Sequence, residues 1–596
     1  MKKLLTFFLI FTAASFYAFQ VNDISQQNRE TNKETNKEHR FSKPMESQEN
    51  VSSQPRRFLK PLDEEAEENE NFNFGLDLGW QSGPYSPFVF TNVNVSQNPA
   101  PQNEMSIKIS KKDPNRVVAA WRDFRQGADP VTRRRVGYSY STDGGTTWAA
   151  SQLLDSTLLP GLPRNSDPAV CEDTSGFFYI NVIALTNTNS NGTLAVYKST
   201  DGGVTFPIAV IIAQSGSEDK EYICTDWTPN SPFRNNLYIS WTRFSSVTGI
   251  KLTKSTNGGI NWTAPVAISD VTSGIQGSDI CVGKSGEVYV CWLDGNSAND
   301  DSIKFDKSTD GGLTFGTDKT ISGGLAPIIP ITTSGVTFPS IATDISGGSN
   351  NGNIYVTWSD SRNGDPDVFL SRSTNGGNNW SPALRVNNDA VGNGKLQCWP
   401  WIAVNDSGKI AINYVDTRNT SVNTTFEMYL AKSTDGGLTF TNTLLSSTPS
   451  PSANQNSAVR FGDYIGIDYW KNRITPLWTD ERAGGFDTEG YTAVINTLVN
   501  VIPLSTSVPD KYELKQNYPN PFNPATSIEF AVPVKGLVSI KVYDMLGKEV
   551  AQLVNEVIDA GSHKVIWNAS NLSSGVYVYK ITTGSFEAVK KMTLVK

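Results

Sequence analysis

Six copies of one octamer constrain this chain more than any other feature of it. They read STDGGTTW at 141–148, STDGGVTF at 199–206, STNGGINW at 255–262, STDGGLTF at 308–315, STNGGNNW at 373–380 and STDGGLTF at 433–440. The Asp or Asn in third place can bond nearby backbone amides, the two glycines admit positive φ, and the closing Trp or Phe plugs the turn into apolar packing. Each octamer is therefore a self-contained hairpin clasp. Recurrence about every 60 residues predicts one supersecondary unit stacked repeatedly rather than a single core.

Each clasp follows an alternating segment such as VGYSYSTDGG or DVFLSRSTNGG. An earlier segment ends in WRDFR (121–125), WTRF (241–244), WLDG (292–295), WSDSR (358–362), YVDTR (414–418) or WTDER (478–482), and before these lie runs such as PSIATD, WIAVND and YIGIDY. The order is strand a, strand b with its W-x-D-x-R end, strand c, clasp, strand d. This predicts an all-β chain with a β-propeller at 76–503. WTDER has no clasp after it and marks a seventh, degenerate unit. Seven blades is the preferred count, and six is the alternative if one unit is not a full blade. The last unit stops after GYTAVINTLV, so FVFTNVNVS at 88–96 is placed to supply its outer strand. The octamers resemble the Asp boxes, or BNR repeats, of the sialidase superfamily.

The flanks differ in character. Residues 1–20 combine two lysines, an apolar run and small residues, as in a cleaved export signal, and that run is too short to span a bilayer. Residues 21–75 are rich in Asn, Gln, Glu, Ser and Lys and bury too little to offset ordering, so a disordered polar linker is expected. From 504 to 596, short β-rich runs between Gly and Asn turns predict a small β-sandwich. Its NYPNPFN (517–523), Tyr543 with Asp544 and Gly547, and SSGVYVYK (573–580) resemble the type A C-terminal sorting domain of the type IX secretion system. That resemblance implies passage through the periplasm to the medium or the outer-membrane surface, with the type IX machinery as a partner.

A net charge of −8 leaves no electrostatic footprint for nucleic acid. The only histidines, His39 and His563, lie outside the repeat region, which excludes a His-based metal site or a Ser-His-Asp triad there. No cofactor is expected. Calcium at the Asp-rich NSANDDS (296–302) is an open question. Five cysteines at irregular spacing make no disulfide framework. Cys281 and Cys291 could pair across a hairpin, but buried unpaired thiols are the expectation for all five.

In an up-and-down blade the clasps and the b-strand ends lie on opposite faces. The clasp aspartates are thus read as structural. The opposite face gathers Arg125, Asp167, Asp219, Glu221, Arg362, Trp399, Arg418, Arg460, Asp463, Tyr464 and Arg482, an acidic and arginine-lined cup suited to a carbohydrate or glycoprotein. The other reading is that Asp-x-Arg pairs brace each b–c loop. The sialidase resemblance implies three arginines on a substrate carboxylate, a Tyr-Glu nucleophile pair and an Asp acid-base. The F/Y-R-I-P motif that carries the first arginine is absent. Arg125, Arg362, Arg418 and Arg482, with Asp463, Tyr464 and Glu221, are the candidate catalytic residues of a possible exo-glycosidase. The alternative is a non-catalytic propeller that binds glycans or proteins.

Overall fold

Apolar sequence is densest in the second strand of each unit: VVAAWRD, FYINVIAL, LYISWTR, VYVCWLD, IYVTWSD, IAINYVD and RITPLWTD are buried along nearly their whole length. A strand covered on both faces has this near-continuous apolar character, so each sheet must be packed between two others. The computed structural model bears this out. It describes residues 90–126, 134–187, 192–213, 217–245, 247–295, 301–326, 338–452, 461–483, 488–496, 502–505, 508–569 and 572–596. The expected export signal and linker, Arg460 and most of NSANDDS lie outside the described residues.

Among the described residues, seven antiparallel sheets follow one another, beginning at Gln102, Arg164, Glu218, Ile275, Ser340, Gln397 and Gly466, each with its first strand at one edge and its later strands added in order. The first strand of every sheet packs against the first strand of the next, and Gly466–Trp470 returns to Gln102–Ile109. The fold is all-β and propeller-like. Asn92–Asn94 pairs with Glu489–Ala493 as the outer strand of the seventh sheet, where the sequence placed it.

All six octamers are the turns between third and fourth strands. In the first, Asp143 accepts from the Thr147 amide at 2.9 Å and from the Thr147 hydroxyl, Ser141 Oγ accepts from the Gly145 amide at 2.8 Å, and the Trp148 indole donates to the Gly145 carbonyl at 3.0 Å. The Ser-to-Gly and Asp-or-Asn bonds recur in the other five. Trp148 is buried, whereas Trp262 and Trp380 are half-buried. The octamers also tie sheet to sheet. Lys198, Lys307 and Arg372, each just before the final serine of a third strand, donate to the Gly258, Gly376 and Gly436 carbonyls of the next sheet's octamer at 2.8, 2.7 and 3.0 Å.

All five cysteines are free thiols. Cys281 faces Tyr289 and Cys291 faces Asp279 in the ladder, so the two thiols are two residues out of register and do not pair.

From Ile502 the chain enters two further four-stranded sheets. One is ordered Ile502–Ser505, Gly561–Asn568, Ala525–Val532, Glu513–Leu514; the other Glu549–Ile558, Gly536–Tyr543, Gly575–Thr583, Phe586–Leu594. Alternating burial in Ala525–Val532 and Gly575–Thr583 sends Ile528 and Phe530 from one sheet and Tyr579 and Ile581 from the other into a shared core. This is the expected β-sandwich.

Candidate functional site

The first strands carry a recurring irregularity. In five sheets the ladder slips by one residue, between Asn103 and Ser106, Ser166 and Ala169, Asp219 and Tyr222, Gln276 and Asp279, and Cys398 and Trp401. The first residue inside each slip has positive φ: Glu104 55°, Asp167 53°, Lys220 54°, Gly277 68° and Trp399 51°. A β-bulge re-aims a side chain, and a left-handed non-glycine residue costs on the order of 1 kcal/mol or more. Four of the five bulges bear that cost. Phe338 and Tyr464 hold the corresponding place in the fifth and seventh sheets, two residues before Ser340 and Gly466, which face Thr357 and Leu477.

These positions converge on the axis. Lys220 Nζ lies 2.6 Å from Asp463, 3.6 Å from Asp167 and 3.8 Å from Glu104, and Arg122 lies 3.1 Å from Glu104 and 3.9 Å from Asp167. Two cations from the first and third sheets thus hold three carboxylates from the first, second and seventh. Burial raises the Glu104 carboxyl to about 8 despite Arg122, so it is protonated at neutral pH. Burial would also raise Asp167 and Asp463, but Lys220 holds both below the ordinary range. Lys220 is itself raised, its carboxylate neighbours overcoming burial. Tyr222, Trp401 and Tyr464 form an aromatic wall with ring centroids 5.0, 5.5 and 5.9 Å apart.

Of the seven candidate residues, three meet here. Asp463 is bonded to Lys220. Tyr464 is buried, 5.4 Å from the Lys220 ammonium, with its hydroxyl pushed up by burial. Glu221 is buried with neither oxygen hydrogen-bonded, and burial followed by the Asp167 charge raises it well above the carboxylate range. The four arginines are not brought together. Arg125, Arg362, Arg418 and Arg482 each grip the aspartate two residues earlier, Asp123, Asp360, Asp416 and Asp480, with closest approaches of 2.7, 2.6, 2.6 and 2.6 Å. They also reach toward outer strands and loops, to Ser151, Ser322, Asn388 and Ser447. The indoles of Trp121, Trp358 and Trp478 donate to the same aspartates. In the third sheet Glu218 takes the aspartate's part, binding both Trp241 and Arg243.

Sequence reasoning missed Glu104, Arg122 and Lys220. The usable signal was an alignment of first strands on their shared Ile or Val, at 107, 170, 223, 280, 341, 402 and 467. Three residues earlier, that column reads Glu104, Asp167, Lys220, Gly277, Phe338, Trp399 and Tyr464.

Residues 516–595 match the family model of the secretion system C-terminal sorting domain. No curated protein matches the chain. Among solved structures, it is similar to a protein of unknown function from Dyadobacter fermentans (15% identity, 68% of this chain and 97% of that chain, TM-score 0.40). It is similar also to the NanB sialidase from Streptococcus pneumoniae (11%, 56% and 67%, TM-score 0.39) and to PorZ, a surface component of the type IX secretion system of Porphyromonas gingivalis (14%, 81% and 58%, TM-score 0.38). The sorting domain marks the protein as secreted or attached to the cell surface and as handled by the type IX machinery. Among the described residues no helix is long and apolar enough to cross a membrane.

Proposed function

We propose that the protein is a seven-bladed Asp-box propeller, exported by a signal at 1–20, joined through a linker at 21–75, and displayed to bind a neutral carbohydrate over its axis. The propeller would span 76–503 and the sorting domain 504–596. One observation carries the binding reading. Each of the four arginines that would grip a substrate carboxylate is already committed to an aspartate of its own loop, and Lys220 and Arg122 are occupied by Glu104, Asp167 and Asp463. Protonated Glu104 and partly exposed Asp463 supply hydrogen-bonding groups for hydroxyls beside an aromatic wall.

A second reading has its own support. A carboxylic acid that keeps its proton up to about pH 8, beside an ionised Asp167, is the pairing a glycoside hydrolase needs for general acid and base. A glycan array and a fluorogenic glycoside panel, run on the purified full-length protein, separate the two. Binding without turnover supports recognition. Turnover abolished by Glu104→Gln supports hydrolysis. Binding or turnover confined to sialylated glycans would overturn the neutral-ligand reading.

A further inference from the structure

The seven first strands enclose a cavity of about 230 Å³ that runs from the bulges to the turns between first and second strands. Its far end differs chemically from the axial cluster. Lys108 there is paired with Asp468 at 2.9 Å, and Glu172 accepts from the Ser110 hydroxyl and the Lys111 amide. The Lys111 side chain is held otherwise. Its Nζ lies 4.9 Å from the Trp227 ring and 5.1 Å from the Trp470 ring, and it makes no ion pair among the described residues. Burial, with the Lys108 charge added, pulls its amine down to about 8, while Asp468, Glu172 and Asp406 act in the opposite sense. The Trp470 indole N–H is buried without an acceptor. Trp227 donates to the Glu172 carbonyl at 2.9 Å, so its ring is fixed.

One cationic donor, the Lys111 ammonium, thus borders the cavity with no acceptor bonded to it among the described residues. Two indole faces hold the ammonium in place in the free protein, weakly enough for an anionic oxygen to replace them. The geometry points to a second ligand site at this mouth, where Lys111, flanked by Trp227 and Trp470, takes the carboxylate of a small organic acid about the size of one sugar acid. It is independent of the axial reading above, because the axial cations are occupied and this one is not.

The test uses the full-length protein and three probes followed by ligand-observed NMR saturation transfer: glucuronate, glucose and glucosamine. Glucuronate is expected to bind, and the other two to give no signal that depends on Lys111. Lys111→Met should weaken glucuronate binding by about tenfold or more, and Lys111→Arg should retain it. With the wild-type protein, binding should fall between pH 7 and pH 9 as the amine loses its proton, a measurement that needs no variant. The site is overturned if glucuronate does not bind, if Lys111→Met binds it as well as wild type, or if glucose competes equally.

Discussion

The octamer turns and the first-strand bulges are both backbone devices repeated from sheet to sheet, but they are used in opposite ways. The turns repeat their side chains as well as their shape: Ser and Asp or Asn make the same bonds to backbone amides six times, with two glycines following them and an aromatic ring closing each turn. The bulges repeat only the shape. Glu104, Asp167, Lys220, Gly277 and Trp399 share one left-handed conformation and differ in charge, size and polarity. A position at which geometry is held while chemistry varies is where a symmetric ring becomes an asymmetric site.

The sharpest way to break this contrast is at a turn. Trp148→Ala removes a buried ring that packs among Val117, Trp121 and Leu477, and should cost about 3–5 kcal/mol. Chemical denaturation measures it, and any ligand affinity per folded molecule should be unchanged. The same change at half-buried Trp262 should cost less. At a bulge, Lys220→Met leaves the Asp167 and Asp463 carboxylates and the protonated Glu104 facing one guanidinium and should destabilise by about 3 kcal/mol at neutral pH, because a buried charge loses its partner. Here axial binding should fall as well.

Glu104 sharpens the comparison through pH. Its folded-state value lies above the ordinary 4.5, so its contribution to stability is complete below about 4.5 and is lost as pH rises toward about 8. Melting temperature should therefore decline over that window more in wild type than in Glu104→Gln. Asp167 and Asp463, held low, act oppositely and lose their contribution as pH falls below the ordinary carboxylate range. The smallest effect is expected from Asp310→Ala. Its exposed carboxylate accepts from the Leu313 and Thr314 amides at 2.9 and 3.0 Å, and its loss should cost about 1 kcal/mol with no effect on binding.

What was legible in the sequence follows the same division. The octamers and the W-x-D-x-R ends announce themselves because side-chain identity is what makes them work, and they gave the strand order and the outer strand at Asn92–Asn94. The four arginines were legible in two roles, gripping a ligand or bracing a loop, and the bonds from Arg125 to Asp123 and Ser151 are those of the brace. Arg243 hides its bracing altogether, since its carboxylate, Glu218, comes from another strand. The axial cluster was hardest to see. A bulge shifts a strand by one residue without leaving a shared residue type, so Glu104 and Lys220 look like ordinary polar positions until the seven strands are set side by side.

The seam between Asn92–Asn94 and Glu489–Ala493 bears on the order of events during export. Ser96 accepts from the Gly490 amide across a sequence separation of 394, so the ring stays open until almost the whole repeat region has been delivered. Closing so long a loop costs only modestly more than closing one half its length, about 0.6 kcal/mol per doubling, and the delay is therefore one of arrival. A chain threaded amino end first presents its closing strand immediately ahead of the sorting domain. Completion of the ring and appearance of the address that carries it onward are thereby timed to the same stretch of translocation.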